Sequence, residues 1–498
     1  MTVPNSRVRL VNQNAPNPSG HYVLYWMIAT RRPNHNYALD RALELCAEFG
    51  KPLLVLEALR VGYLHASQRL HRFVIAGMAD NAAAFRAMGV HYYPYIEPEA
   101  EAGRGLLRAL SAQACAVVTD EFPCFFLPKM VARAGELLEK RLIAVDSNGL
   151  LPIRMTDRVF TRAFSFRRFM QQTIGSALSE LPSAEPAQVP SLQKRVTLPK
   201  EIEHRYPPAS TELLALDETA LAKLPIDASV TPTATRGGWV AAKARLDEFV
   251  GQSLPLYGGS RNHPDSDTSS RLSPYLHFGH ISPHQVFSAV MASEEWEPGQ
   301  RSSKVTGSRA GFWGVGESAE SFLDELITWR ELGLNFCAHR GDYDQVSALP
   351  DWAQTTLDEH RSDPRDTLYS LEELELAKTH DPIWNAAQRE LVREGRIHNY
   401  LRMLWGKLIY AWSPSPEQAA ERMVYLNDRY ALDGRDPNSY SGIFWVLGRY
   451  DRAWGPERPV FGKIRYMTSD STRRKLRLSE YLATYGAPSA MASQTSLF

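Results

Sequence analysis

The chain contains 498 residues, more than a single hydrophobic core ordinarily organises, so at least two domains are expected. Its 56 basic and 56 acidic side chains give a net charge of zero, so any nucleic-acid surface must be a local basic face, and the balance alone neither supports nor excludes DNA. The four cysteines show no CxxC spacing, so neither disulfides nor a metal site are predicted. No apolar stretch reaches the length of a membrane span, so we predict a soluble, cytoplasmic protein, and we also expect it to be a monomer.

The first third of the chain alternates short apolar runs with amphipathic segments. After a polar segment (1–20) that predicts a disordered tail, strands are predicted over 22–29, 52–58, 91–96, 116–120 and 142–149, with helices between them. This alternation predicts a doubly wound parallel sheet, and hence an α/β domain over 21–150. Ligands of such sheets bind beyond the carboxyl ends of strands, here near Thr30–Arg32, Glu57, Asp120 and Asp146. No GxGxxG motif follows the first strand, so a dinucleotide site is not predicted.

The remainder of the chain changes character twice. Residues 151–235 contain a candidate basic helix (163–173) and a Pro/Ser/Ala-rich tract, and are predicted to form an interdomain linker. From 236 to 485 helical periodicity predominates, which predicts an all-α domain, and residues 486–498 are predicted to form a flexible tail. Within the helical part, the Gly/Ser-rich stretch 294–320 is interpreted as a mobile loop.

Three places in the helical part concentrate chemically useful side chains. Glu325 and Trp329 are four residues apart, so on an α-helix they share a face, where a carboxyl group beside an aromatic ring is expected to have a raised pKa. Trp405 and Trp412 are seven apart and lie on one helical stripe. A turn over 433–436 offers acidic hydrogen-bond acceptors. Without further context, a pair such as Glu325 and Trp329 is more often a pair of surface neighbours, and tryptophans such as Trp405 and Trp412 more often belong to the core of a helical bundle. An acidic turn such as 433–436 is as often a solvated loop.

A fourth candidate is the hydroxyl-rich segment 257–279. Ser269 and Ser270 stand just ahead of an apolar helix start, as N-cap residues do, so backbone N–H groups and hydroxyls there could hold a pyrophosphate. A capped surface turn is the commoner interpretation of an isolated Ser-rich loop.

Several segments, in one order, carry a resemblance to a known family. They are SSRLSPYLHFGHIS (269–282), FLDELITWRELGLNFC (322–337), THDPIWNAAQRELVREGRIHNYLRMLWGKLIYAW (379–412), LNDRYALDGRDPN (426–438) and ERPVFGKIRYM (457–467). The chain resembles the photolyase/cryptochrome superfamily, and specifically the class II cyclobutane pyrimidine dimer (CPD) photolyases, strongly over about 240–480 and in outline over the first 150 residues. This implies an α/β antenna domain joined to an all-α FAD- and DNA-binding domain. It also implies a carbon–carbon lyase that repairs CPDs in DNA by light-driven electron transfer from excited reduced FAD to a flipped-out dimer.

The resemblance also implies which residues hold FAD. They are Tyr257, Ser269, Ser270, Arg271, Leu272, Ser273, Arg330, Asn335, Arg402, Asn427, Asp428, Asp433 and Asp436. Asn427 is expected beside flavin N5, where an amide can both donate and accept a hydrogen bond. Arg402 is expected to pair with an aspartate of the 433–436 turn.

A catalytic set and a lesion pocket follow from the same resemblance. The implied catalytic residues are Glu325, Asn427, Trp405, Trp384 and Trp412. Glu325 would hydrogen-bond the dimer, and electrons would pass between the flavin and Trp405, Trp384 and then Trp412 at the surface. The implied substrate- and DNA-binding residues are Arg261, Asn262, Trp329, Met403, Trp445 and Arg465, to which Arg449 and neighbouring cations add a phosphate-binding face.

CPD-containing DNA is therefore the expected partner, which implies association with the nucleoid if the source is bacterial. In the family the α/β domain can house a second, antenna chromophore; here the first strand runs into IATRRPNHN rather than a Ser-Arg-Asp type of segment, so no identity is assigned to it. Two alternatives remain: a cryptochrome-like flavin blue-light receptor without repair activity, and a (6-4) photolyase. The lesion-pocket residues and the short tail favour repair over the first, and Met403 argues against the second, which would require a His pair at the dimer.

Overall fold

The structure is a computed structural model that describes residues 2–486; the predicted flexible tail after Gly486 lies outside the described residues. Residues 8–145 build a sheet in the order β1-β6-β5-β2-β3-β4. Its strands are β1 (Val8–Leu10), β2 (Tyr22–Met27), β3 (Leu53–Leu59), β4 (His91–Ile96), β5 (Ala114–Asp120) and β6 (Leu142–Val145). The helices of this part are α1 (Tyr37–Phe49), α2 (Gln68–Ala87), α3 (Leu106–Ser111) and α4 (Leu127–Leu137).

The predicted doubly wound parallel sheet is confirmed. Strand β2 pairs in parallel with β3 and β5, and all six of its residues are buried, as expected for a central strand covered on both faces. Helix α1 begins where the Asn36 side chain accepts the Leu39 N–H and ends at Gly50, whose φ of 62° is left-handed. Its apolar face packs on alternate β2 residues, Val23, Tyr25 and Met27, which form one core layer.

The prediction of a disordered segment over 1–20 is wrong for residues 2–20. Strand β1 pairs antiparallel with β6, Val8 opposite Val145, and forms an edge of the sheet. The guanidinium of Arg7 is buried and donates to the carbonyls of Gly149 (3.1 Å) and Leu150 (2.6 Å). A three-residue strand is too short to show periodicity, and its partner is distant in sequence, so the composition of the segment was misleading.

The predicted carboxylates do lie at the carboxyl ends of the strands, but their oxygens accept hydrogen bonds from other groups of the protein. Asp120 accepts N–H groups from Ile28, Ala29 and Thr30 at 2.7–2.9 Å, in a nest of backbone donors that would suit a bound anion. Glu57 is fully buried and accepts from the side chains of three residues, namely Arg31, Asn81 and Tyr92. These carboxylates therefore stabilise the loops that follow the strands.

The rest of the described chain is mainly helical, as predicted for 163–173 and for 236–485, whereas three short helices over 200–221 lie in the segment predicted to be a linker. Its helices are α5 (Ala163–Leu178), α6 (Lys200–Arg205), α7 (Thr211–Leu214), α8 (Glu218–Leu221), α9 (Trp239–Glu248), α10 (Leu254–Ser260), α11 (Ser273–His277), α12 (Pro283–Ser293), α13 (Glu317–Leu323), α14 (Arg330–His339), α15 (Asp351–Glu359), α16 (Leu371–Glu375), α17 (Pro382–Glu394), α18 (Asn399–Ala411), α19 (Pro416–Tyr430), α20 (Pro437–Val446), α21 (Ser469–Lys475) and α22 (Ser479–Tyr485). Two π-helical turns, Phe249–Ser253 and Asp324–Trp329, interrupt the α-helices.

The described residues divide into two compact units, residues 2–255 with 270–339 and residues 256–269 with 340–486. Residues 151–235 belong to the first unit together with the sheet, whereas the predicted helical domain is shared between the units. The predicted domain limits are therefore not the limits of these units, and as functional divisions they stay a prediction.

The stretch 294–320, interpreted from its composition as a mobile loop, is anchored by its aromatic residues. Trp313 is buried and packs against Phe287 with ring centroids 5.3 Å apart. The indole N–H of Trp296 donates to the Trp313 carbonyl at 2.7 Å. The buried Glu320 carboxylate accepts the N–H groups of Gly311 and Trp313. Its Gly/Ser-rich composition indicated a mobile loop, because composition alone does not show the ring packing and hydrogen bonds that hold the segment.

Glu331 of α14 is a buried carboxyl group whose contribution to the stability of the fold depends strongly on pH. It accepts the Leu150 and Leu151 N–H groups at 2.6 and 3.1 Å. Burial raises its pKa from 4.5 to about 7, although these N–H groups and Arg330 oppose the rise. The folded-state pKa thus lies above the unfolded one, so the stabilisation by Glu331 is complete below pH 4.5 and is lost as the pH rises through 7.

The Glu331→Gln variant should remove this pH dependence. Between pH 4.5 and 7 the unfolding free energy of the wild type should fall relative to that of the variant by about 3 kcal/mol. Urea unfolding of both proteins at several pH values measures the difference. A difference that stays constant over this range would contradict the assignment.

Candidate functional site

The segment with Glu325 and Trp329 is a π-helical turn rather than the predicted continuous α-helix. The N–H of Arg330 bonds to the carbonyl of Glu325, five residues earlier, which defines the wider turn. Glu325 and Trp329 are half-buried, whereas the residues between them are buried. The four-residue rule for a shared α-helical face therefore does not apply here. The spacing of apolar residues does not distinguish a single π-helical turn from an α-helix, so the sequence predicted a shared α-helical face for Glu325 and Trp329.

Arg330 and Asn335 follow on α14 and have partners within the first unit. Arg330 donates to the Asn148 carbonyl at 2.5 Å. The amide of Asn335 donates to the Arg158 carbonyl (2.9 Å) and accepts the Phe160 N–H (3.1 Å). Both residues therefore hold backbone segments in place, and their contact with a cofactor stays a prediction.

The expectation that Ser269 and Ser270 cap a helix is wrong. Helix α11 begins at Ser273, and its N-cap position is Leu272, which makes no side-chain capping bond. Arg271, with a φ of 54°, turns the chain between the serines and the helix. The helix was therefore predicted to begin too early.

On the second-unit side of this segment, Ser269 belongs to a polar network. Its hydroxyl donates to Asp267 at 2.7 Å, and Asp267 pairs with Arg396 at 2.9 Å. Arg261 lies 5.5 Å from the ring centre of the buried Tyr257, while Asn262 is exposed. The segment is thus ordered, and its predicted role in binding a diphosphate stays a prediction.

The predicted acidic turn forms one compact group with the end of α19. Arg402 pairs with Asp433 at 3.5 Å, which confirms the expected pairing with an aspartate of the turn. Asn427 donates its amide to Asp428 at 3.1 Å, and Asp428 also accepts the Arg435 N–H at 2.9 Å. These contacts bring the predicted cofactor-binding side chains of α18, α19 and the turn together.

Gly434 explains how the turn comes so close to α19. A β-carbon at this position would lie 2.8 Å from the Asn427 carbonyl oxygen and 2.9 Å from the Asp428 α-carbon. Any larger residue would push the turn away from the helix. Asp436 then caps α20 by accepting the Asn438 N–H at 2.8 Å. The glycine was quoted in the motif, but its steric role was not foreseen.

The three predicted electron-transfer tryptophans lie on α17 and at α18, and they meet in the second unit. The indole N–H of Trp384 donates to the Trp405 carbonyl at 2.9 Å, and the rings of Trp384 and Trp412 are 5.5 Å apart. Trp405 donates to the buried Gln388 at 2.9 Å. The indoles of Trp384 and Trp405 are thus held in place by hydrogen bonds as well as by packing.

Trp412 was expected at the surface, but it is buried, with only 6% of its surface exposed. Tyr369 and His380 cover it, with ring centroids 5.2 and 5.3 Å from its own, and they hydrogen-bond each other at 2.6 Å. A seven-residue spacing places two side chains on one helical stripe but does not reveal what packs over them.

Trp445 is half-buried near the end of α20 and is held by residues that sequence reasoning missed. Its indole N–H donates to Asp451 at 3.2 Å. Lys407 of α18 is fully buried and donates to the Val446 carbonyl, one residue after Trp445. Burial lowers the pKa of Lys407 to about 7, although Asp451 opposes the decrease. Lys407 lies two residues after Trp405, and only its charge within an apolar helix marked it as unusual.

The basic residues after Trp445 separate into buried and exposed groups. Arg449 is 2% exposed and donates to the Ala348 carbonyl, so its assignment to a phosphate-binding face is wrong. Arg465 is exposed, and its guanidinium lies 5.4 Å from the ring centre of Trp454. Arg402 and Met403 are partly exposed on α18.

The predicted site residues belong to both units. Ser270 to Ser273, Glu325, Trp329, Arg330 and Asn335 lie in the first unit, and the others lie in the second. The enclosure of a ligand between Trp329 and Trp445 therefore stays a prediction. Within residues 2–486, no helix has the length and apolar character that a bilayer crossing requires, and no three His, Cys, Asp or Glu side chains are arranged to hold a metal ion.

Comparison with known proteins gives a consistent result, although no family model matches the chain. A deoxyribodipyrimidine photo-lyase of Methanothermobacter thermautotrophicus is 36% identical over 96% of this chain and 97% of its own length. A deoxyribodipyrimidine photo-lyase of Oryza sativa subsp. japonica is 33% identical over 96% and 90%, respectively. The fold matches that of a class III photolyase from Agrobacterium tumefaciens with a TM-score of 0.66 at 18% identity, over 95% of this chain and 86% of that one. With this level of identity over nearly the full length of both relatives, the chain belongs to the deoxyribodipyrimidine photo-lyase family.

Proposed function

We propose that this protein is a class II photolyase that repairs cyclobutane pyrimidine dimers in DNA when illuminated. The observation that carries the proposal is the 36% identity to a deoxyribodipyrimidine photo-lyase along nearly its whole length. The ordered group of three tryptophans and the acidic turn beside Asn427 are features that this chemistry would use. That the protein is a cytoplasmic monomer stays a prediction.

The chain's own residues fit FAD. The close approach at Gly434 brings partly exposed Asp433, paired with Arg402, beside Asn427, so that hydrogen-bond acceptors, a cation and an amide are within reach of one ligand. Carboxylates suit ribose hydroxyls and ring N–H groups, and an arginine suits phosphate. When bound in its reduced form and excited by light, FAD would supply one electron to the dimer and take it back after the ring has opened.

The other residues would position the dimer and stabilise the charge it acquires. A dimer must leave the DNA stack to reach a cofactor inside the protein, and extrusion costs least at a damaged step. Trp329 and Trp445 are half-buried aromatic side chains that would pack against the extruded bases. Glu325 would hydrogen-bond the dimer while it carries the extra electron, and the two carbon–carbon bonds of the cyclobutane ring would break without net oxidation or reduction.

The predicted antenna chromophore stays a prediction. At the carboxyl ends of the strands, where a ligand of the sheet was expected, the oxygens of Asp120 and Glu57 accept hydrogen bonds from the protein itself. A chromophore in this domain would therefore have to use other groups.

The test is blue-light repair of an oligonucleotide that contains one thymine dimer, by protein whose bound FAD has been identified from its absorption spectrum and reduced. We expect light-dependent restoration of the two thymines and no reaction in the dark. A protein that binds FAD but restores none would contradict repair and favour the cryptochrome-like alternative. A folded protein that takes up no FAD would contradict both.

A further inference from the structure

The residues 301–312, RSSKVTGSRAGF, form a basic arm that the proposed mechanism does not use. This basic arm contains three cations, four hydroxyl side chains and no carboxylate. Lys304 and Arg309 are exposed and Arg301 is half-exposed. In a chain with a net charge of zero, such a stretch is a local concentration of positive charge.

The basic arm has a fixed course along helix α5. The Gln171 side chain accepts the Gly307 N–H at 2.8 Å and donates to the Ser308 carbonyl at 3.0 Å. Arg167, one turn earlier, donates to the Gly307 carbonyl at 3.3 Å. At its base, Ser302 donates its N–H to the carbonyl of the buried Phe312 at 2.8 Å. The cations are thus presented by an ordered backbone.

Helix α5 adds to the same charged surface. A β-carbon on Gly307 would lie 2.7 Å from the Arg168 side chain, and one on Gly175 would lie 2.7 Å from the Arg301 guanidinium. Positions 168 and 175 are two helical turns apart and share a stripe of α5. Within residues 2–486, no carboxylate lies within 4.0 Å of the cationic groups of Arg168, Arg301, Lys304 or Arg309. Arg168 and Arg301 therefore lie along the side of α5 that the basic arm follows, and none of the four cations forms an ion pair within residues 2–486.

This surface is connected directly to the proposed lesion site. The guanidinium of Arg167 makes two hydrogen bonds to Asp324, at 2.6 and 3.0 Å. Asp324 begins the π-helical turn and is adjacent to Glu325. Because a bidentate arginine–carboxylate pair fixes geometry as well as distance, the basic arm and the turn form a rigid connection.

We propose that the basic arm and the Arg168 face of α5 bind phosphates of duplex DNA outside the damaged step. The inference rests on the proposed function, which supplies a polyanion next to Glu325. Unpaired cations interleaved with hydroxyl groups match the donors that most often contact phosphate oxygens. The contact would hold the duplex in position without reading its sequence, while the dimer is extruded.

The test uses the triple variant R301Q/K304Q/R309Q and the full-length protein. Its affinity should fall for a dimer-containing duplex that extends at least one helical turn on each side, and the slope of log K against log salt should be smaller by about 2–3. Affinity for a short single strand with the same dimer, and repair at saturating DNA, should remain unchanged. The triple variant R195Q/K200Q/K223Q, which removes three exposed cations elsewhere, is the matched control and should behave as wild type.

Each failure has a separate meaning. If the wild type does not repair, the proposed function is overturned. If the wild type repairs and the variant keeps its salt slope on the long duplex, only the role of the basic arm is overturned. An equal loss of affinity for the short strand would also overturn it, because the variant would then have damaged the dimer site itself.

Discussion

A Trp384→Phe variant should lose most of its ability to photoreduce bound oxidised FAD, and yet repair dimers once its FAD has been reduced chemically. Trp384 is fully buried, and it is the residue that contacts both other tryptophans: its N–H bonds to the backbone of Trp405 and its ring packs on Trp412. Phenylalanine fills much of the same volume but lacks the electron-rich indole. The variant therefore interrupts electron transfer at the middle of the three.

The measurement is the decay of oxidised-flavin absorption under blue light with a thiol reductant. Trp26→Phe, another buried indole, is the matched control and should photoreduce normally. The loss of stability should be smaller than the roughly 3–5 kcal/mol of a tryptophan-to-alanine truncation, so the variant should fold. Normal photoreduction by folded Trp384→Phe would remove Trp384 from the path.

A Glu325→Ala variant should retain FAD and bind dimer-containing DNA but lose much of its repair yield. Repair is a competition between opening of the ring and return of the electron to the flavin. A hydrogen bond to a charged group contributes about 1.5–3 kcal/mol, so losing it should shift this competition by roughly tenfold or more. Glu325 is half-buried on the π-helical turn, so its side chain is partly exposed.

Repair yield per absorbed photon, measured with reduced enzyme and saturating dimer DNA, tests this expectation. Glu317→Ala, at the exposed beginning of α13, is the matched control and should repair as wild type does. Glu325→Gln should fall between Ala and wild type, because its amide NH2 group can still donate a hydrogen bond to the dimer. Equal yields for all four proteins would exclude Glu325 from the mechanism.

The parts of the fold that the sequence predicted well are those with strong periodicity and marked ends. A helix was predicted between the first two predicted strands, and α1 lies there with a regular apolar stripe, an Asn cap and a terminal Gly. The parallel sheet followed from the alternation of apolar runs with helices. The edge strand β1 was missed since three residues cannot establish a pattern, and only its pairing with β6 fixes it.

The candidate site was predictable as a set of positions but not as a set of contacts. The pairing of Arg402 with an aspartate of the turn was correct, because a motif names both residues. The burial of Arg449 and the cover over Trp412 were not foreseen, because both depend on segments that are remote in sequence, near Ala348 and Tyr369. The charge and spacing of residues along the chain do not reveal which segments from elsewhere in the sequence will pack over them.

The π-helical turn makes the winding of this segment as important as its composition. Each residue advances an α-helix by about 100°, so if Asp324–Trp329 kept all its residues but were wound as a regular α-helix, everything after it would rotate by about that angle. Glu331 would then leave the Leu150 and Leu151 amides, and Asn335 would leave the strand of chain at Arg158. The extra residue in the wide turn therefore determines which side chains of α14 face the segments they hold.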